Sequence, residues 1–422
     1  MRRRFVLFFA ITILSARLHA AEPADNPVGQ WAATVALNRS IVPFRFEITR
    51  QGDRYVAWFF NGAERFSSSE AALVGDELVF AFESYAAQLD VRLKEGALDG
   101  EYRYVGATRR EPASGLAFHA TRAVEEPVRQ ETIPQIAGEW ELEVQSHYGE
   151  GAQRLVIRQG GDRLEAAIAR IDGDSGVLEG RYRDGRFVLG HFDGARPQRL
   201  EIEAESDGSL QVVQSGYSST HTLVAYRADV ARKKGLDAPL DPLSYSQVKQ
   251  KDEPFHFGFP DLQGRLVTER DLRFQGKVLI VTITGSWCPN CHDEAPFLEA
   301  LYRKYRQRGL EVVAFNFEEE EQLKNPARLR AFLKQFGIDY TVLLAGEPDK
   351  IGEKLPQLTH LDAVPSTIFI DRDGLVQNIH AGFAGKATGK IYDELWAETT
   401  QRIERLLAET VPATLVTSGN TK

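Results

Sequence analysis

A chain of 422 residues exceeds the roughly 100 to 200 that one core usually holds, so two or three domains are expected. Its hydrophobic content of 43% and five Trp fit packed globular domains, and beyond the extreme N-terminus no stretch approaches the ~18 apolar residues of a membrane span. The formal charge of −9, with nothing more basic than the short run Arg232-Lys233-Lys234, argues against nucleic acid as a partner.

Arg2, Arg3 and Arg4, the apolar run Phe5 to Leu14 and the small pair Ala20-Ala21 read as a secretory signal peptide over residues 1–20. Leu18 is large for its place before the cleavage point, so an uncleaved anchor is the alternative. No Cys follows the apolar run, which excludes a lipid-modified N-terminus. Cleavage would remove four Arg and no acid, taking the charge from −9 to −13.

An internal repeat with an offset near 109 residues follows. Gly29-Gln30-Trp31 returns as Gly138-Glu139-Trp140, Arg45 to Ile48 as Arg154 to Ile157, and Gly52-Asp53-Arg54 as Gly161-Asp162-Arg163. Alternating runs such as Phe44-Phe46-Ile48, each followed by a Gly-Asp turn, predict antiparallel hairpins. Two β-rich units are expected, at 21–125 and 132–228, each a small barrel or sandwich; the opening G-x-W resembles the start of lipocalin-like barrels. The sequence leaves open whether the copies form two barrels or halves of one. The aromatic run Val56 to Phe60 reads as strand core, with a pocket lining as the alternative.

Residues 229–252, rich in Lys, Pro, Gly, Asp and Ser, read as a linker. From 253 the period changes: strands at Val278–Thr284, Val312–Phe317, Thr341–Leu344 and Thr367–Ile370 alternate with helices at Cys291–Arg306, Pro326–Phe336 and Gly389–Leu407. That alternation predicts an α/β domain over 253–410, and a hairpin around Gly374 makes its sheet mixed. Residues 411–422 read as a flexible tail.

The only two cysteines, Cys288 and Cys291, lie in Trp287-Cys288-Pro289-Asn290-Cys291 at a strand-to-helix junction. A disulfide closing so short a loop restrains the unfolded chain little, so the pair is chemical rather than structural. With Cys288 as N-cap and Pro289 as the first helical residue, the Cys288 sulphur lies beside unpaired N–H groups and the positive end of the helix dipole, which favour its thiolate. Cys291 falls on the same face of the first turn. Attack by one thiol and resolution by the other is then a two-step exchange.

This motif, with Pro296 inside the helix and Val364-Pro365 before a strand, resembles the active site of the thioredoxin superfamily. Cys288, Cys291, Glu294 and Pro296, with Phe257 to Leu262 upstream, are most similar to the TlpA/ResA branch of extracytoplasmic thiol-disulfide oxidoreductases. The resemblance covers about residues 253–410. It implies Cys288 as an exposed nucleophile, Cys291 as a buried resolving thiol, a cis Val364–Pro365 bond beside the substrate strand, a contact from Trp287, and a proton-shuttling role for Glu294, with a solvated first-turn acid as the plainer reading of that residue. It further implies reduction of disulfides in protein substrates, electrons from a membrane partner and a bacterial periplasmic location, with a disulfide oxidase or isomerase as the alternative. The redox-active pair itself would serve, with no further cofactor or metal. One departure is Thr282, which stands where thioredoxins carry a buried acid.

Other readings of the motif are weaker. Cys288-Pro-Asn-Cys291-His292 also fits covalent haem attachment, but the only Met is Met1, so no Met can serve as second axial ligand. Two Cys and His292 supply at most three zinc ligands. His292 is expected on the solvent face of the helix, or beside the thiolate. A different class remains: the β repeats could bind a ligand or partner, with the redox domain an accessory.

Overall fold

The computed structural model describes residues 26–37, 39–104, 115–124, 132–217 and 219–409. The segment expected as a signal peptide and the tail 411–422 lie outside them.

The two repeats fold as two antiparallel units, each with its own sheet and core. In the first, a meander runs Glu64–Ser67, Arg54–Asn61, Ile41–Gln51, Gly29–Ala36, Leu116–Arg122, Ala97–Tyr104, Ala87–Lys94, Glu77–Phe82 and stays open at its ends. The chain between the two edge strands spans part of that gap, with Ser68 N donating to Ala57 O at 2.9 Å and Ser69 N to Ala81 O at 2.8 Å. Period-two alternation sends Trp31, Phe44, Phe46 and Phe59 inward, as the pleat requires. The second unit closes: Arg163–Arg170 pairs both with Ala152–Gly160 and with Leu178–Arg183, joining the ends of the ring.

Each unit secures its opening Trp in the same way. Trp31 Nε1 donates to Pro27 O at 3.0 Å and Trp140 Nε1 to Ile136 O at 2.8 Å. Arg122 and Arg227, from or just after each unit's last strand, lie over the two indoles at 4.2 and 3.8 Å. The units are also fused. Phe192 of the second is fully buried in the core of the first, stacked on Phe44 at 4.6 Å, and a Cβ on Gly190 would lie 1.7 Å from Pro43 O.

The segment expected as a linker is ordered: helix Ala228–Lys233 lies on the second β unit, with Arg232 paired to Glu141, and the chain from Asp241 is laid against the C-terminal domain. Asp241 caps the short helix Pro242–Tyr245, Tyr245 donates to Asp362 at 2.9 Å, and Gln247–Val248 pairs with Leu358–Thr359.

The C-terminal domain is a five-stranded mixed sheet in the order Thr341–Gly346, Leu310–Phe317, Val278–Thr284, Ser366–Ile370, Val376–Ala381, the first three parallel and the last two antiparallel. Its central strand, VLIVTIT, is buried along its whole length, as a strand covered on both faces must be. Val278 and Ile280 face the helices Pro289–Tyr305 and Lys390–Ala408, while Leu279, Val281 and Ile283 face Phe255, Phe257 and Phe259. The architecture is thioredoxin-like, and the helix carrying the cysteines springs from the C-terminal end of the central strand.

Candidate active site

Cys288 is the N-cap of helix Pro289–Tyr305, with Pro289 at the first helical position. Its amide donates to Gly285 O at 3.1 Å, and its carbonyl accepts from Cys291 N at 3.0 Å and His292 N at 3.2 Å. The Cys288 sulphur lies 3.4 Å from Val364 O, the carbonyl that immediately precedes Pro365. The Val364–Pro365 bond is cis. The fold thus brings Cys288, Cys291, Val364 and Pro365 together.

Both thiols are free, and burial pushes Cys291 well above the usual thiol range; the Cys288 sulphur and Glu294 carboxylate add to this, while Thr284 opposes it. Behind the pair sits Glu294, only 2% exposed. Its oxygens accept from Thr282 Oγ1 at 2.7 Å and Thr367 Oγ1 at 2.5 Å. Burial raises its carboxyl to about 7, against the pull of those two hydrogen bonds. The solvated first-turn reading of Glu294 therefore fails. Thr282, at the position where thioredoxins carry an acid, donates to an acid supplied by the helix.

Trp287 holds its ring by donating from Nε1 to Phe317 O at 2.8 Å. The residue before it is fixed by a buried ionic network. Ser286 donates its amide to Glu318 at 2.7 Å and its hydroxyl to the same carboxylate at 2.8 Å, while Arg328 reaches Ser286 Oγ at 2.8 Å and Glu318 at 2.9 Å. Glu318 is fully buried and burial pushes its carboxyl up, against Arg328. Nothing in the spacing of Ser286, Glu318 and Arg328 marks them as partners.

Two expectations change. Cys288 is not exposed but 4% accessible, and His292 lies not on a solvent face but stacked on Tyr85 of the first β unit, at 4.0 Å and 7° between planes. His292 Nε2 is 2.8 Å from Ser286 O, and burial lowers the imidazole to about 4, so it is neutral near pH 7. His292 is enclosed from both sides, by Tyr85 of the first β unit and by Phe332 and Phe336 of its own domain at 4.8 and 5.5 Å.

Comparisons with known proteins agree with the fold. The family described as Redoxin matches residues 250–395. ResA, a thiol-disulfide oxidoreductase of Bacillus thuringiensis (strain Al Hakam), is 30% identical over 126 residues, covering 30% of this chain and 65% of that protein. The thiol:disulfide interchange protein DsbE of Allochromatium vinosum is 31% identical over 166 residues, covering 39% of this chain and 80% of DsbE.

The chain belongs to the TlpA/ResA-type thiol-disulfide oxidoreductases.

Membership in this oxidoreductase family is carried by the C-terminal domain, since both β units lie outside the residues that match Redoxin. The chain spans 65% of the length of the ResA protein named above. A solved thiol:disulfide interchange protein of the thioredoxin family from Chlorobium tepidum TLS is 23% identical, covering 41% of this chain and 99% of its own, with a TM-score of 0.28.

Proposed function

We propose that this TlpA/ResA-type oxidoreductase reduces disulfides in extracytoplasmic proteins by dithiol exchange through Cys288 and Cys291. The observation that carries the reading is the placement of the Cys288 sulphur at a helix N-cap, against the carbonyl before cis-Pro365, with an acid near 7 buried behind Cys291. Cys288 thiolate attacks one sulphur of the substrate disulfide, whose other sulphur leaves as thiolate and takes up a proton. Cys291 then loses its proton towards Glu294 and attacks Cys288, releasing the second substrate thiol and leaving Cys288–Cys291 oxidised. The substrate gains two electrons and two protons. A dithiol donor, which the resemblance implies is a membrane protein, restores the pair. The redox centre is the pair itself, with no added cofactor, and the leader-like first twenty residues support an extracytoplasmic site of action.

The test is the equilibrium of the full chain with glutathione buffers, acid-quenched and read by mass. A potential of about −250 mV or lower is expected; one near about −120 mV would overturn reduction in favour of oxidation.

A further inference from the structure

We infer that the fused β units are an intramolecular cap seated on the dithiol face, so that the chain must open before Cys288 can meet a protein substrate. The inference rests on the dithiol reading for its consequence but not for its geometry.

The helix N-cap of such a domain is where a disulfide must approach in line with the attacking sulphur, yet here Cys288 and Asn290 are only 4% and 3% accessible. What covers Asn290 comes from far away in sequence. Asn290, between the two cysteines, donates through Nδ2 to Asp172 O at 2.9 Å and accepts through Oδ1 from Arg196 at 3.3 Å. Asp174, 1% exposed, accepts from Gly385 N. Ile171 packs on Ala363 and Ala381, beside the Val364–Pro365 segment. One loop, 171–174, thus lies along both the Cys-Pro-Asn-Cys turn and the cis-proline segment, the two surfaces an extended substrate would have to engage together.

The approach is too close for side chains on either partner. A Cβ on Gly173, whose φ is +133°, would sit 2.2 Å from Asn290 Nδ2, and one on Gly382, with φ +66°, would sit 2.3 Å from Ile171 O. The first β unit adds Tyr85 on His292. Tyr85 lies in the turn after Glu77–Phe82, and Arg196 in the turn after Arg186–His191, which are equivalent turns of the repeat. Both copies therefore present the same turn to the same site. The seam mixes hydrogen bonds at Asn290 and Asp174 with only small apolar clusters, Ile171 on Ala363 and Ala381 and Val177 on Ala387, as in within-chain interfaces that open and close. Access to Cys288 is then scaled by the open fraction.

Alkylation of the reduced full chain tests this without requiring turnover. Cys288 is titrated with iodoacetamide and with a maleimide bearing a long polyethylene glycol, in wild type and in Gly173→Val, Arg196→Ala and Tyr85→Ala. Gly173→Val wedges the cap away; because it could also disturb its own hairpin, the other two variants, which keep the β backbone, carry the test if the β circular dichroism is lost. The expected result is that the large probe reacts about tenfold or more faster in the variants, the small probe gains less, and the midpoint of the alkylation pH profile stays put. Wild type reacting with the large probe as fast as the variants would overturn the cap. A shifted midpoint with no change in the large-probe rate would also overturn it, by assigning the contacts to thiolate chemistry. A wrong redox potential with a confirmed cap would fail the function and leave the inference standing.

Discussion

The first β unit fills its interior with rings, Trp31, Phe44, Phe46, Phe59 and Phe80 among them, and even borrows Phe192 from its neighbour. The region beneath the cysteines is built oppositely, with Thr282, Ser286, Glu294, Glu318 and Arg328 all buried. Rings stabilise by leaving water, at roughly 25 cal/mol per Å² of apolar surface. Buried charges cost desolvation that their mutual attraction only partly offsets, so they are poor devices for stability alone. The difference teaches that the C-terminal domain keeps polar groups buried where the loop before Trp287 is held and Glu294 is seated, whereas the core of the first β unit is held by apolar side chains.

The contrast can be broken in five places. Cys288→Ser should take disulfide reduction to the uncatalysed background in an insulin assay, with no change in thermal stability, because a buried thiol becomes a hydroxyl of similar size. Next, Arg328→Met should destabilise the C-terminal domain by about 3–5 kcal/mol in urea unfolding, since Glu318 would be left buried without its cation. Phe192→Ala should cost a similar amount by leaving a cavity, but through packing, so that Phe192→Leu recovers most of the loss while no apolar residue at 328 does. If Arg328→Met proved neutral, the polar core would be no more than a tolerated alternative to an apolar one.

Glu294→Gln has a defined pH signature. Its folded carboxyl lies at about 7 against a usual 4.5, so ionisation costs the folded state: wild type should lose stability as pH rises from about 4.5 to above 7, by about 3 kcal/mol. The Gln variant should show no such loss, and its rate of Cys291 resolution should lack an inflection near pH 7. Smallest of all, Trp140→Phe should cost about 1 kcal/mol, by removing the hydrogen bond to Ile136 O. Trp31→Phe should match it if the two repeats use the device equally.

Much of this is legible in the sequence alone. The two-residue spacing of the cysteines, Pro289 and the apolar strand before them located the motif at a strand-to-helix junction, and the change from period two to strand–helix alternation located the domain boundary. The repeat is readable from Gly-x-Trp and its Gly-Asp turns, but its closure is not, because that depends on the pairing of Arg163–Arg170 with Leu178–Arg183, which has no counterpart among the described residues of the first unit. Glu294 was visible as a candidate, though not its burial, which needs Thr282 and Thr367 from two other strands. The burial of His292 is not legible, because a residue in the first turn of a helix is ordinarily wet, and the rings that dry it, Tyr85, Phe332 and Phe336, all lie far away in sequence. The role of Asn290 is not legible at all; its partners Asp172 and Arg196 belong to another fold unit, and no local pattern encodes such a contact.

The central claim, that Cys288 attacks and Cys291 resolves, is tested most directly by trapping. Cys291→Ser and Cys288→Ser chains, each incubated with a disulfide-bonded protein substrate and quenched in acid, should differ: the first accumulates a mixed disulfide on Cys288 and the second none. A mixed disulfide on Cys291 in the Cys288→Ser chain, or none in either, would contradict it.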